Sequence, residues 1–410
     1  MKALDTPGSP NRSAHLGARK AARILTQTRR LAADFLGVSD PQNLILVSGA
    51  TFGINLVAQG LASYATYSSN LCDTLPVELC VAYSEAEHNA VTRSIHHLAG
   101  SNEIHCNDRN KAKYELIEIG LKSTGQVCIE KLRELLDCKK IHALFIQHAS
   151  NITGAINPIK TIASMCKEKD TLLIVDGSQS AGHMPIHLDE LSAAGLSAWT
   201  CSGHKGLLGP AGSGLLYLSP DFKPLPLIFG GTGGGEHDYL AHDVNSILRP
   251  YDYEAGTPAL PAIAGLGAGI KAVQDSFEKD SRSIEKLTQF IVPRLKEIEG
   301  LHILGESCAD SPNAGSVQNF ADSTCSDDKR RIPLASLSFD RNSSEQMAFI
   351  LDAQFGIAAR AGLHCSPLTH RTMGTYPDGA LRISWNASNS IEELEKTIIA
   401  LQSAIGMMRG

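Results

Sequence analysis

Apolar and polar positions along the chain follow two rhythms, one after the other. Ala21, Ile24, Leu25, Thr28, Leu31, Ala32 and Phe35 recur at three- and four-residue spacing, which predicts an amphipathic helix. From about residue 40, short apolar runs alternate with helical patterns. Strands are predicted at 44–48, 79–83, 114–119, 142–147, 171–176, 198–202 and 214–218, with helices near 49–63, 88–98 and 159–169. This alternation predicts a mostly parallel sheet covered on both faces. Gly- and Pro-rich residues 224–235 and 254–261 end the pattern. Beyond them come a long helix through Ile284, Leu287, Phe290, Ile291, Leu295 and Ile298, and strands at 334–339 and 381–385. A last helix carries Ile391, Leu394, Ile398 and Leu401. This part predicts a second, smaller α+β domain. Residues 309–331, dense in Ser and Asp, read as a surface loop, and no internal repeat is found.

In such sheets ligands gather at the carboxyl ends of the strands. Five predicted strand exits deliver polar groups there: Ser48-Gly49-Ala50-Thr51, Glu87-His88-Asn89, His148-Ala149-Ser150-Asn151, Asp176-Gly177-Ser178-Gln179 and Ser202-Gly203-His204-Lys205. Gly49-Ala50-Thr51 places backbone N–H groups and a hydroxyl at a helix start, which suits a phosphate; a small turn with no ligand has the same sequence. Asp176 ends a buried apolar strand, so its carboxylate needs a cation or donors; a protonated ring nitrogen satisfies it, and so does a helix N-cap. Lys205 stands among small residues, where a desolvated amine can form a Schiff base, though a solvated lysine fits such a turn as well. Together the three specify pyridoxal phosphate (PLP).

Composition works by exclusion. A chain of 410 residues calls for about two domains. With 37 Lys+Arg against 43 Asp+Glu the formal charge is −6, which gives no general pull toward nucleic acid or an anionic membrane. No apolar run approaches the ~18–20 residues that span a bilayer. Ten cysteines without a C-x-x-C pair are too dilute for a disulfide scaffold, so a reducing, cytoplasmic setting is expected. No metal site is expected. The basic start (Lys2, Arg12, Arg19, Lys20, Arg23, Arg29 and Arg30 against Asp5) reads as the wet face of the first helix, although a transit peptide has a similar composition.

The segments Val175-Asp-Gly-Ser-Gln-Ser-Ala-Gly and Ser202-Gly-His-Lys-Gly-Leu-Leu-Gly-Pro-Ala-Gly resemble class V aminotransferase-like PLP enzymes. Within that group the chain resembles the cysteine desulfurases from about residue 10 onward. The supporting strings are Ser48-Gly-Ala-Thr, Glu87-His-Asn-Ala, His148-Ala-Ser-Asn-Ile-Thr-Gly-Ala-Ile-Asn-Pro, Glu254-Ala-Gly-Thr-Pro and Arg360-Ala-Gly-Leu-His-Cys-Ser-Pro. The resemblance implies the α/β PLP-dependent transferase fold type I. A large domain would span 15–258 with a seven-stranded sheet, and a small domain would comprise 1–14 and 259–410.

By that resemblance Lys205 carries PLP and shuttles the α-proton, Asp176 pairs with the ring nitrogen and His88 stacks on the ring. Gln179 and Asn151 bond near the ring hydroxyl and the substrate. Ala50, Thr51, Ser202 and His204 hold the phosphate, joined by Thr257 of a second subunit in a homodimer. Arg382 clamps the substrate carboxylate, with Arg360 beside it. Taken alone, His88 is equally a helix-start cap and Arg382 a strand arginine facing an acid. Cys365 lies in a polar, Gly-containing turn beside cationic groups, a setting that can lower a thiol pKa, though a free cysteine is also commonly a structural thiol. In the desulfurases it attacks the sulfur of L-cysteine, giving a persulfide and alanine, and its short loop resembles the SUF-type arrangement. Cys201, ending an apolar strand, is expected to be buried and inert. A sulfur-acceptor protein and iron–sulfur cluster supply follow from the same resemblance. Alternatives are a selenocysteine lyase or other class V enzyme, or a PLP-fold binding subunit without turnover. Two features depart from the family: its Leu-Asp-Asn-Ala-Ala-Thr-like strand is only faintly echoed by Leu4-Asp5-Thr6, and 309–331 is longer than the usual connection.

Overall fold

A computed structural model describes residue 10 and residues 15–68, 77–100, 112–231, 249–306, 331–340 and 343–409. The Leu4-Asp5-Thr6 echo and all of 309–331 except Arg331 lie outside these. The described residues form two compact units: those within 1–119, 129–148 and 158–281, and those within 120–128, 149–157 and 282–410.

The first unit opens with α1 (Leu16–Leu36), which buries Ala21, Leu25, Thr28 and Ala32 from the predicted stripe. It ends because Gly37 takes the left-handed conformation (φ 62°) and returns its N–H to Ala33 O. The strands are β1 (Leu44–Val47), β2 (Val77–Ser84), β3 (Ala112–Ile119), β4 (Ala143–Gln147), β5 (Leu172–Asp176), β6 (Leu196–Ser202) and β7 (Gly214–Leu218). They lie in the order β1-β7-β6-β5-β4-β2-β3. The pairs among β6, β5, β4, β2 and β3 are parallel, and β7 is antiparallel to both of its neighbours. Every residue of β4, β6 and β7 is buried, as expected for strands covered on both faces. The connecting helices are α2 (Ala50–Ser68), α3 (Asn89–Gly100), α4 (Ile129–Cys138), α5 (Ile159–Glu168) and α6 (Leu188–Ala194).

The long helix, α7 (Leu260–Lys296), begins well before the predicted 284. Its first half carries glycines that read as breakers in the sequence but serve close approach. A Cβ on Gly267 would stand 2.6 Å from Thr28 Oγ1, and one on Gly269 would stand 2.4 Å from Leu207 O. Here tertiary packing overrides helix propensity.

In the second unit, β8 (Leu301–Ile303), β9 (Leu334–Phe339) and β10 (Leu381–Ser384) form an antiparallel sheet ordered β10-β9-β8. With α8 (Ser344–Phe355), α9 (Pro367–Thr372) and α10 (Ile391–Arg409) it encloses a core of Leu287, Ile291, Leu295, Leu337, Met347 and Trp385 with their neighbours. Trp385 satisfies its buried indole N–H on Thr288 Oγ1 at 2.9 Å. Among the described residues no helix is long and apolar enough to cross a membrane, and no His/Cys/Asp/Glu cluster could hold a metal.

Candidate functional site

The first unit holds most of the predicted cofactor residues at strand exits; Thr257 lies in the loop before α7, and Asn151 falls in the second unit. Asp176 ends β5 opposite Thr200 of β6, and Lys205 follows β6 by three residues. Asp176 pulls the pKa of the Cys201 thiol up and Lys205 pulls it down. The stronger influence on that thiol is burial, which pushes its pKa up, and Cys201 is buried as expected.

Asp176 is only 9 % exposed, and its Oδ1 accepts from Ser178 N at 2.9 Å. Among the described residues no cation pairs with it. A buried carboxylate left this way calls for a protonated partner, and the buried Ser178 Oγ beside it also lacks a bond. The ring nitrogen of PLP meets that demand, so the residues present fit this group. At the α2 start, Ala50 N donates to Ser202 Oγ at 3.3 Å, and the exposed Thr51 hydroxyl has no partner among the described residues. This helix N-terminus, with two hydroxyls, suits a phosphate.

His88 is half-buried, and its Nδ1 accepts the N–H of Ala90 at 3.0 Å, so the helix-start cap is realised. That bond assigns the imidazole proton to Nε2 and fixes the ring. Gln179 is half-buried, whereas His204 and Thr257 are exposed. The loop carrying Thr257 is anchored by Glu254. Its two oxygens take Arg29 of α1 at 2.7 and 2.8 Å, and Oε1 also accepts from Leu46 N of β1 at 2.6 Å.

Glu87, which sequence reasoning passed over, is fully buried. Its Oε1 accepts from Ser84 Oγ at 2.5 Å and Gln147 N at 2.7 Å, while Oε2 has no partner. Burial pushes its pKa up to about 8 against these two bonds, with the charge of Asp176 adding to the rise. The only sequence signal was its position beside His88.

The second unit holds Asn151, Arg360, Cys365 and Arg382. Arg360 and Arg382 face each other across an antiparallel bridge, exchanging backbone bonds of 3.1 and 2.7 Å. Directly opposed residues present their side chains on one face. Neither guanidinium meets a carboxylate among the described residues. Burial first, and then Arg360, lowers the pKa of Arg382. Two like charges without an acid have the chemistry to take a carboxylate.

Arg360 Nη2 lies 3.7 Å from Cys365 Sγ. Cys365 is half-buried, and both it and His364 have left-handed backbone, with φ of 61° and 50°. Such conformations cost non-glycine residues about 1–3 kcal/mol each and persist only where the surroundings impose them. His364 Nε2 donates to Ala380 O at 2.9 Å. Burial pushes the pKa of His364 down to about 4, so the positive charge near the thiol comes from the arginines and not from this imidazole. Gly379 allows the turn to close, since a Cβ there would lie 2.3 Å from the Gly362 carbonyl. The structure holds the predicted cofactor residues other than Asn151 in one unit, and Asn151, Arg360, Cys365 and Arg382 in the other.

A mostly parallel seven-stranded sheet with a smaller α+β unit, and a lysine and an aspartate at neighbouring strand exits, is the architecture of fold type I PLP enzymes. The chain belongs to the aminotransferase class-V family, whose pattern matches residues 3–397. A probable cysteine desulfurase of Halalkalibacterium halodurans is 29 % identical over 396 residues, covering 94 % of this chain and 85 % of that one. One from Vibrio cholerae is 28 % identical over 404 residues, covering 97 % and 87 %. Among solved structures, an apo cysteine desulfurase from Thermococcus onnurineus shares the fold with a TM-score of 0.79, at 24 % identity over 99 % of this chain and 90 % of that one. An Escherichia coli cysteine desulfurase in an S-sulfonic acid form gives 0.75, at 22 % identity, with the same two coverages.

Proposed function

We propose that this chain is a PLP-dependent cysteine desulfurase that takes L-cysteine, releases L-alanine and leaves the sulfur as a persulfide on Cys365. The observation that carries the reading is the Cys365 turn. A half-buried thiol stands beside Arg360 on a backbone that its surroundings hold against its own preference, next to an arginine pair lacking an acid.

PLP, when bound, supplies an electron sink for the α-carbon of the amino acid. Asp176 would hold the proton of the ring nitrogen, Lys205 Nζ would hold the cofactor and then move the α-proton, and His88 would cover the ring. Ala50 N, Thr51, Ser202 and His204 would bind the phosphate, and Gln179 would lie near the ring hydroxyl. Arg382 and Arg360 orient the substrate carboxylate, and Cys365 Sγ, as thiolate, takes the sulfur atom. A homodimer in which Thr257 serves the neighbouring subunit belongs to the same proposal, and the exposure of Thr257 supports it. So does a reducing, cytoplasmic setting, because the thiol must stay reduced, and the described cysteines form no disulfide with one another. A sulfur-acceptor protein, with iron–sulfur cluster assembly as one destination, would then discharge the persulfide.

The test loads the purified chain with PLP, adds L-cysteine, and measures alanine together with the mass of the Cys365 peptide. Alanine in step with a persulfide at Cys365 is expected, and Cys365→Ala should abolish both. Undiminished alanine formation by Cys365→Ala would overturn the persulfide route and leave a lyase acting without a thiol nucleophile; selenocysteine is the substrate to try next.

A further inference from the structure

Asn151 is 4 % exposed and lies in a tight turn that Ser150 Oγ caps by accepting from Ile152 N and Thr153 N at 3.2 and 3.1 Å. Its side-chain amide is engaged in both directions. Nδ2 donates to His364 O at 3.0 Å, and Oδ1 accepts from Ser366 Oγ at 3.0 Å. These two residues immediately flank Cys365, so one amide grips the chain on either side of the thiol. Asn151 O also accepts from Arg382 Nη1 at 3.0 Å.

The grip answers a question left by the backbone. His364 and Cys365 are two consecutive non-glycine residues at positive φ, a pairing that L-residues rarely adopt without outside support. Released, the peptide would turn toward extended or right-handed conformations, and the direction of the Cys365 Cα–Cβ bond would turn with it. Ser366 is fully buried and is the N-cap of α9 without a cap bond from its side chain, so the helix fixes its backbone while its hydroxyl goes to Asn151.

We infer that Asn151 and Ser366 are positioning residues that hold the Cys365 thiol in its reactive direction, and that Asn151 joins this thiol to the carboxylate-binding Arg382. The catalytic meaning of the bracket rests on the proposed role of Cys365; its physical existence does not. The bracket couples the two ends of the substrate: the arginine that receives the carboxylate and the sulfur that attacks are tied to the two faces of one residue.

The experiment uses the full chain with Ser366→Ala, Asn151→Asp and Ser366→Thr. The first removes the hydroxyl, the second removes the amide donor and keeps an acceptor, and the third restores a hydroxyl. In cofactor-free protein, iodoacetamide labelling of individual cysteines is followed by peptide mass. Cys365 labelling should rise about fivefold or more in Ser366→Ala and Asn151→Asp, because the turn opens locally. In Ser366→Thr it should return toward wild type. Cys128 in the same unit and the buried Cys166 serve as controls and should keep their wild-type rates. In PLP-loaded Ser366→Ala, kcat for alanine formation should fall about tenfold with KM within about twofold, since a misdirected nucleophile damages the chemical step and not binding. Cys365 labelling within about twofold of wild type in both variants would overturn the inference. A parallel rise at Cys128 and Cys166 would overturn it too, since the whole chain would then have loosened. If labelling changes as expected while Cys365→Ala keeps full activity, the bracket stands and the persulfide reading falls.

Discussion

The exits of β5 and β6 and the turn around Cys365 hold their candidate side chains still by opposite means. Asp176 and Lys205 inherit their positions from a parallel sheet whose strands are buried on both faces, and few side-chain bonds are needed there. Cys365 has no such support. It stands on two left-handed residues in an irregular turn, held by the Asn151 amide, the Ser366 hydroxyl and the His364 imidazole. A sheet fixes many residues cooperatively, while a hydrogen-bonded turn fixes one residue through a few replaceable contacts. Damage to the first should therefore cost chemistry or global stability, and damage to the second should cost direction.

The sharpest separation is expected from Lys205→Ala. Alanine formation should fall about a thousandfold or more, as for the loss of a general base that also anchors its cofactor. Iodoacetamide labelling of Cys365 in cofactor-free protein should stay at the wild-type rate, because the Asn151, Ser366 and His364 bonds that hold the turn lie within the second unit. A change in that labelling would break the distinction between the regions.

Glu87 comes next in size. Its pKa is raised from 4.5 to about 8, so between these values the folded protein holds a proton that the unfolded chain has lost. Its contribution to stability is therefore greatest below about 4.5 and declines as pH rises toward 8. The slope is on the order of 1 kcal/mol per pH unit. Glu87→Gln, which keeps the shape and carries no charge, should flatten denaturant stability measured across that window. An unchanged pH profile in the variant would show that Glu87 is ionised in the fold. Smallest is Trp385→Phe in the second unit. It removes the bond to Thr288 and should cost about 1 kcal/mol in urea unfolding, with alanine formation unaffected.

Much of this was legible in the chain because the strands are apolar and bounded. The predicted seven-stranded sheet is realised, and the polar residues at its strand exits were found by position alone. What stayed hidden has specific causes. β8 is three residues long, too short to show a period. Helix α8 exposes Phe349, which blurs its apolar face. The first half of α7 looked broken because its glycines are chosen for contact and not for propensity. The Arg29–Glu254 pair joins residues 225 positions apart, a distance no local pattern spans.

By itself the sequence determined which residue types stand at which strand exits, since burial and periodicity are written into neighbouring positions. It therefore determined the fold class and put Lys205, Asp176 and Cys365 forward as candidates. Only the tertiary structure decided that Glu87 buries an oxygen without a partner, that Arg360 and Arg382 oppose each other, and that Asn151 brackets a thiol more than two hundred residues away. Such relations depend on which distant backbones meet and in what register. Those meetings are settled by the packing of whole elements, on which local pattern is silent.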